Sequence, residues 1–223
     1  MLNRGRKQQM TLNPGGLGIA LEHVKTSQHA TYARVLDVTF SLLVFILLLW
    51  WFIPLVGLLI RLDTKGPIFY RQIRSGKDGK PFMCLKFRTM YNRNWDFKQA
   101  SRNDPRVTRI GRWLRKTNLD EIPQFINVLR NEMSVIGPRP HTPELDKQYD
   151  TLIDDYYGRL AVKPGITGLA QVKGYRGETI NFYHMANRVR LDLFYIHYGN
   201  LAMDIRIIFE TARQIFVTNE NAY

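Results

Sequence analysis

The chain has 223 residues, and 32 Lys and Arg against 19 Asp and Glu leave a formal net charge of +13, a size that suits one compact domain with an appendage. A single cysteine, Cys84, excludes a disulfide framework and a cysteine-rich zinc site, and the five histidines, His23, His29, His141, His184 and His197, show no HExxH spacing. With no GxxxxGK[ST] phosphate loop either, the composition points away from transition-metal and P-loop chemistry, while the charge points to an anionic partner: nucleic acid, lipid headgroups or a nucleotide-linked substrate.

Residues 1–29 are polar, basic and glycine-bearing, Gly15-Gly16-Leu17-Gly18 included, and are expected to form a flexible tail. Val38 to Ile60 then runs 23 residues without a charge. As a helix it would extend about 34 Å, enough for a hydrocarbon core of about 30 Å, so residues 30–62 are expected to be membrane-embedded. A secretory signal fits poorly, because the run is long, begins well inside the chain and is followed by Arg61. Hydropathy alone favours a simple span. Both flanks are basic, however: Arg4, Arg6, Lys7, Lys25 and Arg34 precede the run and Arg61, Lys65, Arg71 and Arg74 follow it. The positive-inside rule is better satisfied if both stay on the cytoplasmic side. Pro54 removes one helical hydrogen bond and offers a bend, and Trp50 and Trp51 fit an interfacial belt only if the helix turns near them.

Beyond the membrane run, Gly66 to Tyr70 reads as a turn and short strand, Ser75 to Lys80 as a turn, and Pro81 to Arg88 as a second strand, which predicts a hairpin. Cys84, between Met83 and Leu85, is expected as a buried strand residue rather than a nucleophile. Alternation puts Lys86 and Arg88 on one face, where either solvation or ligand binding would suit them. From Arg71 to Lys116, fourteen Lys or Arg stand against three Asp, a local balance of +11. Arg109 to Lys116 is helical in pattern. Pro123 is tolerated only in a first turn, so the helix carrying Gln124, Phe125, Val128 and Leu129 is predicted to begin near Asn118 to Glu121, with Asp120 at or near its N-cap. There Asp120 could accept a backbone N–H, or the free N–H groups could hold an anion. Gly137-Pro138-Arg139-Pro140 forms a turn that aims Arg139, and guanidinium forks suit diphosphates.

Lys163 to Gly168 is loop-forming, and Leu169 to Val172 reads as a short strand leading to Gly174-Tyr175-Arg176-Gly177. Glycines flanking Arg176 let backbone approach a ligand, and an ordinary glycine-rich turn is the other reading. Ile205, Ile208, Phe209, Ala212, Ile215 and Phe216 recur at helical spacing with Arg206, Glu210 and Arg213 opposite, an amphipathic helix for the core or for a membrane interface. The expected fold is a helix-rich α/β mixed domain over residues 63–223, preceded by the membrane helix.

Five strings, Lys86-Phe87-Arg88-Thr89-Met90, Asn103 to Gly111, Leu119-Asp120-Glu121-Ile122-Pro123-Gln124, Met133 to Pro140 and Lys163 to Gly168, resemble in kind and order the bacterial sugar transferases, the monotopic phosphoglycosyl transferases. The likeness covers roughly Tyr32 to Phe216. It implies transfer of a sugar phosphate from a UDP-sugar to a polyprenol phosphate such as undecaprenyl phosphate, with UMP leaving and magnesium required, at the cytoplasmic face of the bacterial inner membrane. It implies Asp120 as the nucleophile of a covalent phosphosugar intermediate and Glu121 as its partner, positioning metal or accepting a proton. Lys86, Arg115, Arg139 and Arg176 would stabilise phosphate charge, Asp192 would orient an arginine or the metal shell, and Arg88 and Arg112 rank lower. Such a scheme makes chemical sense, since a carboxylate attacks phosphorus only where cations offset the repulsion between two anions.

The resemblance also favours a re-entrant membrane helix, broken in the family at a Ser-Pro pair. This chain has Ile53-Pro54, which keeps the proline and loses the serine hydroxyl. Without the additional N-terminal helices of larger relatives, it resembles the minimal form. A membrane-tethered nucleic-acid binder is the main rival, although the basic segment has no helix-turn-helix, zinc or RNP pattern, and nucleic acid is not expected as a partner. A non-catalytic membrane scaffold leaves Asp120 and Glu121 unexplained. Sugar identity, glycan pathway and oligomeric state, a homodimer included, stay open; the Tyr175 to Phe182 segment is the expected seat of donor specificity.

Overall fold

The apolar run is helical from end to end in the computed structural model, which describes residues 28–91, 104–177 and 181–216. The expected tail falls almost wholly outside the described residues, as do three residues of the Tyr175 to Phe182 segment. Helix α1, Gln28–Val44, passes through one π turn at Phe45–Leu49 into α2, Trp50–Asp63. The wider π turn and Pro54 both disturb the regular ladder within a few residues. The stretch Tyr32–Asp63 is long and apolar enough to cross a membrane.

Both halves of that helix nevertheless lie on the rest of the chain. Near the start of α1, Arg34 Nη1 donates to Val128 O at 3.0 Å, and Asp37 Oδ1 accepts from Ser134 Oγ at 2.8 Å and Val135 N at 2.7 Å. At the far end, Asp63 Oδ2 accepts from Ile110 N at 3.1 Å. Between these ties, Leu36, Phe40, Val44 and Leu49 pack with Phe125, Val128 and Met133, while Phe52, Val56 and Ile60 pack with Phe87 and Leu114. Leu49 is fully buried, a burial that stabilises by roughly 2 kcal/mol. The other flank, with Leu42, Ile46, Leu47, Trp50, Leu55 and Leu58, is exposed. Trp51 Nε1 donates to Leu47 O at 2.9 Å, so its indole carries no unsatisfied donor outward.

The hairpin forms as read. Strands β1, Phe69–Ser75, and β2, Pro81–Phe87, pair antiparallel with Tyr70 opposite Lys86, and Cys84 is buried on β2. Helix α3 is Arg109–Lys116, capped by Thr108, whose side chain accepts from Gly111 N. Gly111 is required there by close packing, because a Cβ would sit 2.1 Å from Thr89 O. After α4, Gln124–Leu129, comes a short parallel pair, β3 at Ser134–Ile136 with β4 at Gly165–Thr167, on either side of α5, Pro143–Asp150.

Leu169–Val172, expected as a strand, is instead the short helix α6. Four residues whose apolar pattern suits either state were settled by the turn before them: Gly168 ends the β4 segment, and Val172 N bonds back to Gly168 O at 3.1 Å. Two long helices close the fold, α7 at Phe182–Tyr198 and α8 at Leu201–Phe216. On α8, Met203, Ile207 and Ile208 face the core, while Leu201, Ile205 and Phe209 are exposed beside Arg206 and Arg213. The helix is therefore apolar on two sides rather than one; the side chains of Ile215 and Phe216 lie outside the described residues.

Candidate active site

Asn118 ends α3 in the left-handed conformation, φ 58° and ψ 14°, which asparagine tolerates better than most residues. The chain then makes a single tight turn at Leu119–Glu121 before Pro123 opens α4. Asp120 therefore lies in this turn and not at the N-cap of α4; Pro123 occupies that position and no side chain caps it. The physical reason is the spacing: Pro123 sits directly at the start of the helix, so the carboxylates three and two residues earlier fall outside it. Asn127 fixes the turn's position from below. Its Oδ1 accepts from Leu85 N at 3.0 Å and its Nδ2 donates to Met83 O at 2.8 Å, which ties α4 to β2.

That tie brings Glu121 to Lys86. Glu121 Oε1 receives Lys86 Nζ at 2.8 Å and Arg139 Nη2 at 2.7 Å; Oε2 receives Arg139 Nη1 at 3.2 Å and Arg176 Nη2 at 3.3 Å. The Arg139 contact is the two-pronged fork for which guanidinium is suited. Burial alone would raise the carboxyl's pKa, but Arg139, Lys86 and Arg176 reverse this and hold Glu121 well below the usual carboxylate range. Asp120 behaves oppositely. It makes no hydrogen bond or ion pair with the described residues, and burial followed by the charge of Glu121 raises its pKa, against the pull of Lys86, Arg115 and Arg176. Arg115 is steered by its Nε bond to Thr89 Oγ1 at 2.8 Å. The result is one saturated carboxylate beside one available carboxylate, within a cluster of four cations.

The motif strings meet for backbone reasons. Gly137 N donates to Thr167 O and Gly165 N to Pro138 O, both at 2.9 Å, so the Met133 to Pro140 and Lys163 to Gly168 segments run side by side. A Cβ on Gly165 would lie 2.1 Å from Gly137 N, which is why that position must be glycine. The carbonyls behind Arg139 are captured in turn: Arg159 Nη2 donates to Arg139 O at 2.7 Å, Arg74 Nη1 to Pro140 O at 3.1 Å, and Ser75 N to His141 O at 2.9 Å. Asp192 holds Arg159, accepting from Nε at 3.2 Å and Nη2 at 2.8 Å. It is buried behind Arg139 and orients an arginine from there.

Of the nine residues singled out from sequence, Asp192 acts from behind the cluster, and Arg88 and Arg112 are not brought to it. Strand β2 ends at Phe87, and Arg88 turns to the end of α2, where Nη1 and Nη2 donate to Lys65 O at 2.6 Å and Thr64 O at 2.8 Å. A cation is favourable on the free carbonyls of a helix C-terminus. Gly66, at φ 129°, leaves room for it, since a Cβ would lie 2.5 Å from Arg88 Nη1. Arg112 is exposed on α3, and its side chain has no hydrogen-bond or ion-pair partner among the described residues. Conversely, Asn127, Thr89, His141 and Arg159 support the cluster, and sequence reasoning missed them. Thr89 lies within the Lys86 to Met90 string, where the charged residues stand out; the other three carry no local motif, and burial of an arginine such as Arg159, 2% exposed, is visible only in three dimensions.

A magnesium ion, implied by the resemblance, fits this donor set through Asp120 alone. Both Glu121 oxygens are engaged by cations, and the described residues contain no group of three His, Cys, Asp or Glu able to hold a metal. Magnesium characteristically takes one or two carboxylates and completes its shell with water and substrate phosphate.

The arrangement can hold a phosphate group: Lys86, Arg115, Arg139 and Arg176 outnumber the two carboxylates, so the cluster has an excess of positive charge. A family model described as bacterial sugar transferase matches residues 28–218. The UDP-glucose:undecaprenyl-phosphate glucose-1-phosphate transferase of Klebsiella pneumoniae is 45% identical over 86% of this chain and 41% of its own length. The protein of the same name from Caulobacter vibrioides is 42% identical over 97% of this chain and 79% of its own. The exopolysaccharide production protein PSS of Rhizobium leguminosarum bv. phaseoli is 44% identical over 80% and 92%. The chain thus spans about two fifths of the Klebsiella relative and most of the other two. By this match and by its motifs, the chain belongs to the bacterial sugar transferase family.

Proposed function

We propose that this chain transfers a sugar 1-phosphate from a UDP-sugar to a polyprenol phosphate such as undecaprenyl phosphate, releasing UMP, as the first membrane step in assembling a bacterial glycan. The observation that carries the reading is the contrast within the dyad: Glu121 is saturated by Lys86, Arg139 and Arg176, while its neighbour Asp120 is left without a partner among the described residues.

In the first step an Asp120 carboxylate oxygen attacks the phosphorus that bears the sugar. The bond from that phosphorus to the bridging oxygen breaks, and UMP leaves with the electron pair. In the second step an oxygen of the polyprenol phosphate attacks the same phosphorus, the Asp120 oxygen–phosphorus bond breaks, and the carboxylate is restored. Lys86, Arg115, Arg139 and Arg176 neutralise charge on the phosphates in both steps. Glu121 holds three of these cations in position, and a carboxyl kept so far below its usual range is a weak proton acceptor. Magnesium, when bound at Asp120 with the diphosphate, would further screen the anionic charge there.

The contacts of the apolar helix support a re-entrant seat, and the basic residues on both of its flanks support the cytoplasmic face. Arg34 and Asp37 at one end and Asp63 at the other bond to one domain, and a bilayer cannot lie between that domain and itself. The exposed flank of the helix and the outer side of α8, Leu201, Ile205 and Phe209, supply an apolar surface for lipid. The basic segment does not favour the nucleic-acid reading. Arg74, Lys86, Arg88, Arg106 and Arg115 all turn to partners within the chain.

The test is UMP release by the full chain in lipid with magnesium and undecaprenyl phosphate, across a panel of UDP-sugars. UDP-glucose heads the panel because the Klebsiella and Caulobacter relatives are named for it. Covalent labelling from a radioactive donor should vanish in Asp120→Asn; full activity in that variant would defeat the assignment.

A further inference from the structure

Arg176 sits on a turn that little else would hold. Gly174 and Gly177 have φ of 90° and 83°, conformations L side chains rarely adopt, and a Cβ on Gly174 would meet no neighbour within 4 Å. These glycines therefore serve the turn's backbone shape, and the shape needs an anchor. On the upstream side, Gly174 N donates to Gln171 O and Tyr175 N to Ala170 O, which fixes the entry from α6. At the guanidinium-bearing residue itself the anchor is Arg188. This side chain, 3% exposed on α7, donates Nε to Tyr175 O at 2.9 Å and Nη2 to Gly177 O at 3.2 Å. The two carbonyls belong to the residues immediately before and after Arg176.

The third nitrogen of the same guanidinium leads to the other arginine of the cluster. Arg188 Nη1 lies 3.4 Å from His141 Nε2, and His141 Nδ1 lies 2.6 Å from Arg159 Nη1, the residue that holds Arg139 O. One buried chain of side chains, Arg188, His141 and Arg159, thus underlies both guanidiniums that grip Glu121 Oε2.

We propose that Arg188 is a positioning residue for sugar-phosphate transfer, clamping the carbonyls on either side of Arg176 so that its guanidinium is held ready at Glu121 and the substrate phosphates. The role rests on the transferase reading above. Arginine is needed because its rigid fork reaches two carbonyls and the imidazole together, whereas a lysine ammonium is a single point on a flexible stem.

The experiment compares wild type, Arg188→Lys, Arg188→Gln, Arg176→Ala and Arg176→Ala/Arg188→Lys as full chains in lipid nanodiscs. Hydrogen exchange at the amides of residues 174–177 is read first. Both Arg188 variants should speed exchange there while the β1–β2 hairpin stays protected; unchanged exchange in the turn, or loss of protection throughout the domain, overturns the clamp. Steady-state UMP release with UDP-glucose and undecaprenyl phosphate is read second. Arg188→Lys should lower kcat/KM about tenfold in the wild-type background, the size expected for a misplaced positioning group, and less than twofold when Arg176 is already alanine. Losses that multiply in the double variant would overturn action through Arg176. Absence of transfer in the wild type across the donor panel would overturn the transferase reading and the catalytic role with it, while the exchange data would still decide the clamp.

Discussion

The two ionic clusters around Arg139 are built from similar residue types in different proportions. Around Glu121, one carboxylate meets Lys86, Arg139 and Arg176. Around Arg159, one guanidinium meets Asp192 at 2.8 Å and Asp146 at 3.8 Å, with the second guanidinium, Arg188, across His141. The second cluster is electrically closed: two carboxylates answer two guanidiniums, and burial, then Arg159 and Arg188, press His141 well below its ordinary range so that it stays neutral. The first cluster is open, with cations to spare and Asp120 unpaired among the described residues. A closed buried network specifies structure, whereas an open one awaits an anion.

Substitutions should separate the two clusters by what they damage. Asp120→Asn is expected to lower transfer by at least about 1,000-fold with no loss of thermal stability, because burial and the Glu121 charge already disfavour the ionised form; a fall in Tm of several degrees would place Asp120 among the structural groups. Arg159→Met should do the reverse. It strands Asp192 without its partner, 2% exposed, and should cost about 3–5 kcal/mol in denaturant unfolding. If stability survives that change, the closed cluster is not what supports Arg139.

Arg139→Lys tests the fork on Glu121. It should reduce kcat/KM by about 10–100-fold while the fold persists, since one ammonium replaces a two-pronged contact. The pH dependence of stability then reports the closed cluster. His141 is neutral when folded and has an ordinary value of 6.5, so below about pH 6.5 the unfolded chain takes up a proton that the native chain refuses. Stability should decline as pH falls through that point, by at most about 1.4 kcal/mol per pH unit, and His141→Gln should flatten the slope; an unchanged slope would assign it to other groups. Arg112→Ala, exposed and outside both clusters, should shift stability by no more than about 0.5 kcal/mol and leave transfer intact. A large effect would bring α3's outer face into the reaction.

Local pattern carried much of this architecture. The β1–β2 hairpin, the Arg109–Lys116 helix and the long uncharged helix follow from turn residues, periodicity and hydropathy, all of which are read along contiguous positions. The pattern failed where neighbours compete. Lys86 and Arg88 have the alternation of one strand face, but the strand ends between them and the α2 terminus captures Arg88. Leu169–Val172 is too short for periodicity to decide between strand and helix. Of the residues proposed for the site, Lys86, Arg139 and Arg176 converge on Glu121, and Arg115 acts on Asp120 from its Thr89 tether. Their convergence was legible only through the order of the motifs.

By itself, then, the sequence determined the long apolar run, the basic excess, the hairpin and the presence of two adjacent carboxylates, because each is a property of contiguous residues. Only the tertiary structure decided which carboxylate is saturated and which is available, that the long apolar helix is pinned to one domain at both ends, and that Arg159, His141 and Arg188 form the floor of the site. These outcomes depend on groups 18 to 98 positions apart, and charge and burial at such separations exist only once the chain has folded.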